Sequence, residues 1–176
     1  MTTKEELKEL LADDTASIFS KLIAIKQLYP KQYSDFNLEL DINSRDDMAE
    51  TVLIMACRLG HIEIVKLLIK AGADIEAKNK SGNTALMYAS LHGQTEIVEL
   101  LIKAGADIEA KNKSGNTALM YASICGYPRV VKLLIEAGAD VNVKNRYGLT
   151  ALELAKDNGY TKVVDLLFDA GAEYST

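Results

Sequence analysis

The sequence contains few of the residues that mark catalytic, metal-binding and disulfide-stabilised proteins. It has no Trp, two Pro, two Cys and two His in 176 residues. Cys57 and Cys125 lie far apart and show no metal-ligand spacing, so we expect two reduced, packed thiols. A Gly-rich phosphate loop, a Cys/His cluster and a supported Ser-His-Asp arrangement are all missing. These absences argue against an enzyme and against a bound cofactor or metal.

Long apolar runs are also missing. Apolar residues make up 48% of the chain, which is enough to form a core,. Their runs are short and interrupted by charge, and none approaches the roughly 20 residues that a membrane span needs. The N-terminus is acidic and amphipathic, whereas a secretory signal starts basic and continues apolar. We therefore expect a cytoplasmic protein that does not bind membranes.

Excess positive charge is absent too, and the acidity is confined to one part of the chain. The net charge is −5. Residues 1–50 hold 6 Lys/Arg and 11 Asp/Glu, whereas residues 51–176 hold 14 of each. An acidic chain is a poor candidate for nucleic-acid binding.

The sequence does contain a repeat with a period of 33 residues. Residues 63–90 and 96–123 differ only at Lys66 and Glu99. One set of threonines and two sets of glycines share the period: Thr51, Thr84, Thr117 and Thr150; Gly60, Gly93, Gly126 and Gly159; Gly72, Gly105, Gly138 and Gly171. A fixed period of this kind indicates an array of stacked units.

Each copy predicts two helices and a connecting loop. In one copy, Thr84 can cap a helix that starts at Ala85, and Gly93 ends that helix. Leu86 and Ala89 give this helix its buried side. The second helix starts near Thr95, and Gly105 suits a left-handed C-cap. Its apolar residues form one stripe: Ile97, Val98, Leu100 and Leu101. Turn-forming residues in 107–116 predict a finger loop.

This pattern resembles the ankyrin repeat, most clearly in TALMYASLHGQTEIVELLIKAGADIEA at 84–110, GHIEIVKLLIKAGADIEA at 60–77 and GADVNV at 138–143. The resemblance implies an all-α solenoid of stacked helix-turn-helix units with finger loops. It divides the chain into an N-terminal helical cap over 1–45, repeats over 46–78, 79–111 and 112–144, and a fourth, capping repeat over 145–176. We expect a monomer.

The chain departs from the family pattern at the first helices. The usual Pro after Thr is Val52, Ala85, Ala118 and Ala151, and the usual His is Ile54, Met87, Met120 and Glu153. In the family that His forms hydrogen bonds around the turn. We therefore expect this chain to lose a polar contact there and to gain apolar packing.

The N-terminal segment predicts a capping helix pair over Lys4–Leu11 and Thr15–Leu28, the latter stopped at Tyr29-Pro30. Residues 40–43 align with 73–76, which makes the segment a degenerate repeat with an insertion near 31–37. Capping alone explains such a segment. The alternative is an acidic surface, with Tyr33 and Phe36 in the inserted loop, that adds contacts to a partner.

The resemblance implies that a partner protein binds on the concave side, at finger tips and first helices. Six finger positions are cationic, and we call them the basic ladder: Lys78, Lys80, Lys111, Lys113, Lys144 and Arg146. The remaining candidate contacts are Met55, Arg58, Asn83, Tyr88, Leu91, His92, Asn116, Tyr121, Ile124, Cys125 and Tyr147. Aromatic groups beside charge are typical of protein-binding surfaces. Repeated lysines also serve solubility alone, and duplication would copy them without selection for binding.

Three functions follow from these residues. The first is a non-catalytic protein-interaction module, and the second is a dedicated inhibitor or immunity-type protein that blocks one enzyme or toxin. Nucleic-acid binding by the basic ladder is the third, and the net acidity weighs against it. The paired carboxylates Asp74/Glu76 and Asp107/Glu109 recur in the repeat and are expected to be structural. Asn142 resembles the site that asparaginyl hydroxylases modify in ankyrin repeats.

Overall fold

The computed structural model describes residue 9 and residues 18–33 and 42–174. These residues hold helices, turns and one isolated bridge between Arg45 and Thr51, and they contain no strand. The helices are α1 (Ile18–Leu28), α2 (Pro30–Tyr33), α3 (Val52–Leu59), α4 (Ile62–Lys70), α5 (Ala85–Leu91), α6 (Thr95–Lys103), α7 (Ala118–Ile124), α8 (Pro128–Glu136), α9 (Ala151–Asp157) and α10 (Thr161–Asp169). The predicted all-α class is confirmed.

The helices form two layers. The first helices of the copies, α3, α5, α7 and α9, pack side by side in chain order. The second helices, α4, α6, α8 and α10, form the layer behind, and each packs on its own first helix and on its neighbours. We call the outer side of this second layer the back face. None of the helices in the described part of the chain combines the length and apolar character that crossing a membrane requires.

The first helices begin at the threonines that recur every 33 residues. Each of the four threonines has extended backbone, and its hydroxyl accepts from the backbone N–H three residues later, at 3.3–3.4 Å. This contact satisfies one of the amides that a helix start leaves open. The predicted cap at Thr84 and the predicted helix start at Ala85 are confirmed.

The buried side chains form one core that runs through all the copies. In the middle of the stack, Leu86 and Ala89 are buried from the first helix, and Ile97, Val98 and Leu101 from the second. Leu100 stays partly exposed, so the predicted stripe is one residue wider than the buried face. Burial of such a continuous apolar surface is the main favourable term in the folding of a stacked array.

The substitutions at the usual His position have two different outcomes. Ile54, Met87 and Met120 are buried, which confirms the expected apolar packing. In the fourth copy the expected loss of a polar contact is wrong. The Glu153 carboxylate accepts from the Thr150 backbone N–H at 2.7 Å, and the Thr150 hydroxyl accepts from the Glu153 N–H. This reciprocal pair is a capping box, so the polar contact is replaced there by another,.

The turns after the first three of these first helices, at Gly60, Gly93 and Gly126, are each contacted by a side chain of the next copy. Gly93 has φ +65°, a conformation that side chains with a Cβ rarely adopt,. A Cβ at Gly93 would also stand 2.7 Å from the ring of Tyr127, which comes from the following copy. Both restrictions favour glycine at this turn,.

The N-terminal segment differs from its prediction in one respect. Helix α1 ends at Leu28, as the Tyr29-Pro30 sequence predicts. Pro30 then begins α2 where a loop was expected, because proline fits the first turn of a helix,. Tyr33 is therefore buried, and its hydroxyl is 2.9 Å from His61 Nδ1. The proposal that Tyr33 offers a surface contact is wrong. The predicted helix Lys4–Leu11, apart from Glu9, and Phe36 lie outside the described residues.

Candidate partner-binding surface

Each finger loop folds around one side-chain acceptor. In the loop after α4, Asn79 Oδ1 accepts from the backbone N–H groups of Ser81 and Asn83, both at 3.0 Å. Asn112 and Asn145 make the same two contacts one and two copies later, and Asp46 makes them one copy earlier. A short polar side chain that bonds its own following backbone is a common turn-forming device. The sequence analysis did not assign this role to the asparagines, although their recurrence every 33 residues was a usable signal.

Neighbouring fingers are joined by backbone hydrogen bonds. Lys80 N donates to Met48 O at 2.9 Å, Lys113 N to Ser81 O at 3.0 Å, and Arg146 N to Ser114 O at 3.0 Å. The fingers therefore form a connected row rather than independent loops. The backbone that carries the side chains of this row is already ordered. This order lowers the cost in conformational entropy of binding a partner.

A second set of contacts ties the fingers to the first helices. Asn112 Nδ2 donates to Asn83 Oδ1 and to the Tyr121 hydroxyl, each at 2.8 Å. The Tyr121 hydroxyl in turn donates to Asn83 Oδ1 at 3.2 Å. Asn145 Nδ2 donates to Asn116 Oδ1 at 2.9 Å. The side-chain oxygens of Asn83 and Asn116, two residues predicted as partner contacts, are thus engaged within the protein.

The predicted tyrosines have mixed roles. Tyr88 and Tyr121 are half-buried, and each hydroxyl accepts from the asparagine of its own finger. Burial raises the pKa of the Tyr88 hydroxyl above its ordinary value, and the neighbouring Glu50 carboxylate acts in the same direction. Both side chains are partly exposed. They position the fingers and can also contact a partner.

The first copy carries charged groups at the start of this network. Glu50 occupies the position of Asn83 one copy earlier, and its carboxylate accepts from Asn79 Nδ2 at 3.4 Å. Arg58 Nη2 lies 3.1 Å from the other Glu50 oxygen. The same nitrogen lies 2.9 Å from Met55 Sδ. Met55 is buried, and the charge of Arg58 is offset by Glu50; contact of either residue with a partner stays a prediction.

The ends of the first helices expose the remaining candidates. His92 is exposed, and Leu91, Ile124 and Cys125 are half-buried. Leu91 follows Tyr88 by three residues, so the two side chains share a helix face. Ile124 follows Tyr121 in the same way. Burial raises the pKa of the Cys125 thiol above its ordinary value, which keeps this thiol protonated,.

All six cations of the basic ladder are exposed. Tyr147 is 75% exposed at the last finger, which makes it the most exposed large apolar side chain in the described residues. Lys78 Nζ bonds to the backbone oxygen of Lys111 at 3.3 Å. The structure therefore brings the predicted finger residues together in one row along the stack.

The paired carboxylates are structural, as predicted. Asp74 Oδ1 accepts from Glu76 N, and Glu76 Oε1 accepts from Asp107 N, at 3.0 and 2.9 Å. Asp107 and Glu109 repeat the arrangement one copy later. The described residues contain no cluster of His, Cys, Asp and Glu that could hold a metal ion. Modification of Asn142 stays a prediction; its amide bonds to Gly171 O and to Glu173 N.

Comparison with known protein families gives two matches that overlap. A family described as ankyrin repeats in three copies matches residues 15–112. A family described as ankyrin repeats in many copies matches residues 103–155. No curated protein matches the chain. The first match covers more than half of the chain and includes α1 and α2, whose repeat character is the weakest in the sequence.

Proposed function

The chain belongs to the ankyrin-repeat family, whose repeats are generally protein–protein interaction modules, and on this basis we propose that it binds a partner protein through its fingers and the exposed side of its first helices. Ankyrin-repeat domains are typically non-catalytic. We propose that this chain, too, acts by binding alone, as a cytoplasmic monomer, with residues 1–45 capping repeats over 46–78, 79–111, 112–144 and 145–176.

The observation that carries this proposal is the connected row of fingers. Three backbone bonds join the fingers, and asparagine side chains tie them to the first helices. Leu91 and Ile124 are half-buried, and each lies three residues after a tyrosine whose hydroxyl bonds to a finger asparagine. A surface that is already ordered, with apolar contacts flanked by charge, has the composition and the low ordering cost of a protein-binding site.

A capture experiment with two matched variants tests the proposal. The immobilised protein is exposed to a lysate of its native source, and bound proteins are identified by mass spectrometry. We expect Leu91→Glu/Ile124→Glu to abolish specific capture, because the new charges replace apolar contacts on the first helices. Leu100→Glu/Leu133→Glu changes the same number of half-buried residues on the second helices and should leave capture unchanged.

Thermal melting shows whether both variants still fold. We expect that they do, because half-buried positions tolerate charge better than core positions. Capture that survives the Leu91→Glu/Ile124→Glu change in a folded protein would contradict the proposed face. A single stoichiometric enzyme whose activity falls on binding would identify the protein as a dedicated inhibitor. A set of unrelated partners would identify it as a general interaction module.

A further inference from the structure

The lysines of this protein occupy two different electrostatic environments. Lysines of α4, α6 and α8 form ion pairs, and Lys66 Nζ lies 3.0 Å from Glu63 and 3.3 Å from Glu96. Lys103 lies 2.9 Å from Glu99, and Lys132 lies 3.7 Å from Glu136. The back face thus carries cations whose charges are offset by adjacent carboxylates.

The basic ladder lacks such partners. Within the described residues, none of its six cations lies within 4.0 Å of a carboxylate. Each of the three fingers after α4, α6 and α8 contributes two of these cations, and the backbone bonds between fingers hold them in one row. Like charges held in a row repel one another. Ion pairing with an anionic ligand would remove this repulsion.

We propose that the basic ladder binds an acidic segment of the partner protein, whose Asp and Glu side chains pair with the ladder while apolar side chains of the same segment contact Leu91 and Ile124. This inference rests on the proposed function and names the chemical class of the partner. It uses charge complementarity, which steers association and selects among partners.

The surroundings of the ladder favour a protein segment over a nucleic acid. A row of carboxylates begins each finger a few residues before its cations: Asp74, Glu76, Asp107, Glu109 and Asp140. All of these carboxylates are exposed. A phosphate backbone, with one charge at every nucleotide, would meet this negative row, whereas a peptide can place neutral residues opposite it. The half-buried apolar residues of the first helices, Leu91 and Ile124, also match peptide side chains better than phosphates,.

The test measures binding of a fluorescein-labelled synthetic peptide of repeating Glu-Leu-Glu-Ser units by fluorescence anisotropy. Two variants of equal net charge are compared. The ladder variant is Lys80→Gln/Lys111→Gln/Lys113→Gln/Lys144→Gln, which leaves Lys78 in place because its side chain bonds to the protein backbone. The back-face variant is Lys66→Gln/Lys70→Gln/Lys103→Gln/Lys132→Gln.

We expect the ladder variant to bind the peptide about tenfold more weakly or worse at low salt, and the back-face variant to stay within about twofold of the original protein. The affinity of the original protein should fall as salt rises, and that of the ladder variant should change less. The same peptide with Gln in place of Glu should not bind.

Three results would overturn the inference: no detectable binding of the acidic peptide, equal losses in both variants, or tighter binding of a single-stranded oligonucleotide or of anionic phosphatidylserine vesicles through the same lysines. The two proposals fail separately. If capture from the native source is lost in the Leu91→Glu/Ile124→Glu variant but is unchanged in the ladder variant, the proposed function stands. The inference of an acidic partner segment then fails. If the ladder binds the peptide but no protein is captured, the proposed function fails.

Discussion

The middle of the stack and its C-terminal end have an asparagine at the same repeat position, but its hydrogen bonds differ between the two. Asn112 closes its own finger and also bonds to Asn83 and Tyr121. Asn145 closes its finger and bonds to Asn116, but Leu154 stands where the tyrosine would be. The turn contacts are thus common to all copies, whereas the bonds that tie finger to helix weaken toward the end. Stability should therefore be highest where a copy has neighbours on both sides.

The largest effect should come from the core. Leu101→Ala removes a fully buried side chain from α6, which packs between α4 and α8, and should lower the free energy of unfolding by about 2–5 kcal/mol,. Leu167→Ala changes the equivalent residue of α10, whose only packed second-helix neighbour in the described residues is α8. We expect that variant to loosen α9 and α10 first, visible as faster amide exchange there during urea unfolding. Equal, fully cooperative losses in both variants would contradict the comparison.

A smaller effect should separate the two asparagines. Asn112→Ala leaves two finger amides without their acceptor and also removes the donor to Asn83 and Tyr121, so we expect a loss of about 1–3 kcal/mol. Asn145→Ala removes the same turn contacts but only one further bond, and it should cost less. Chemical denaturation of both variants measures the difference. If Asn145→Ala costs as much as Asn112→Ala, the bonds to the first helix contribute nothing measurable.

The smallest effect should come from one hydroxyl. Tyr121→Phe keeps the ring and removes the bonds to Asn112 and Asn83, which should cost about 0.5–1.5 kcal/mol,. Tyr147→Phe is the control, because its ring is 75% exposed, and it should be neutral within about 0.5 kcal/mol,. A double-mutant cycle with Asn112→Ala isolates the bond. Additive losses would show that Tyr121 and Asn112 do not interact.

The sequence predicted the parts of the fold that depend on neighbouring residues. Thr84 and Gly105 act within one turn of the helices they bound, so their roles follow from local chemistry. The capping box at Thr150 and Glu153 was readable in the same way and was missed, since a threonine followed three residues later by glutamate is its sequence pattern,.

Other features that sequence reasoning missed depend on stacking. The bond from Asn112 to Asn83 joins residues 29 positions apart, and it exists only once two copies are packed. The burial of Tyr33 depends on His61, 28 positions away, and on Pro30 starting a helix where it was taken only as a stop. By contrast, the exposure of the basic ladder could be predicted from the repeat, because finger-tip positions face outward in every copy.

The single backbone bond between neighbouring fingers also restricts how this surface can change in size. Its donor and acceptor recur with the repeat, so removing or adding one 33-residue copy leaves a donor facing an acceptor, whereas any other change in length breaks the row. The surface can therefore grow or shrink only by whole fingers, each with two cations. A partner of different length would be matched by a change in copy number, without altering a single contact within the remaining copies.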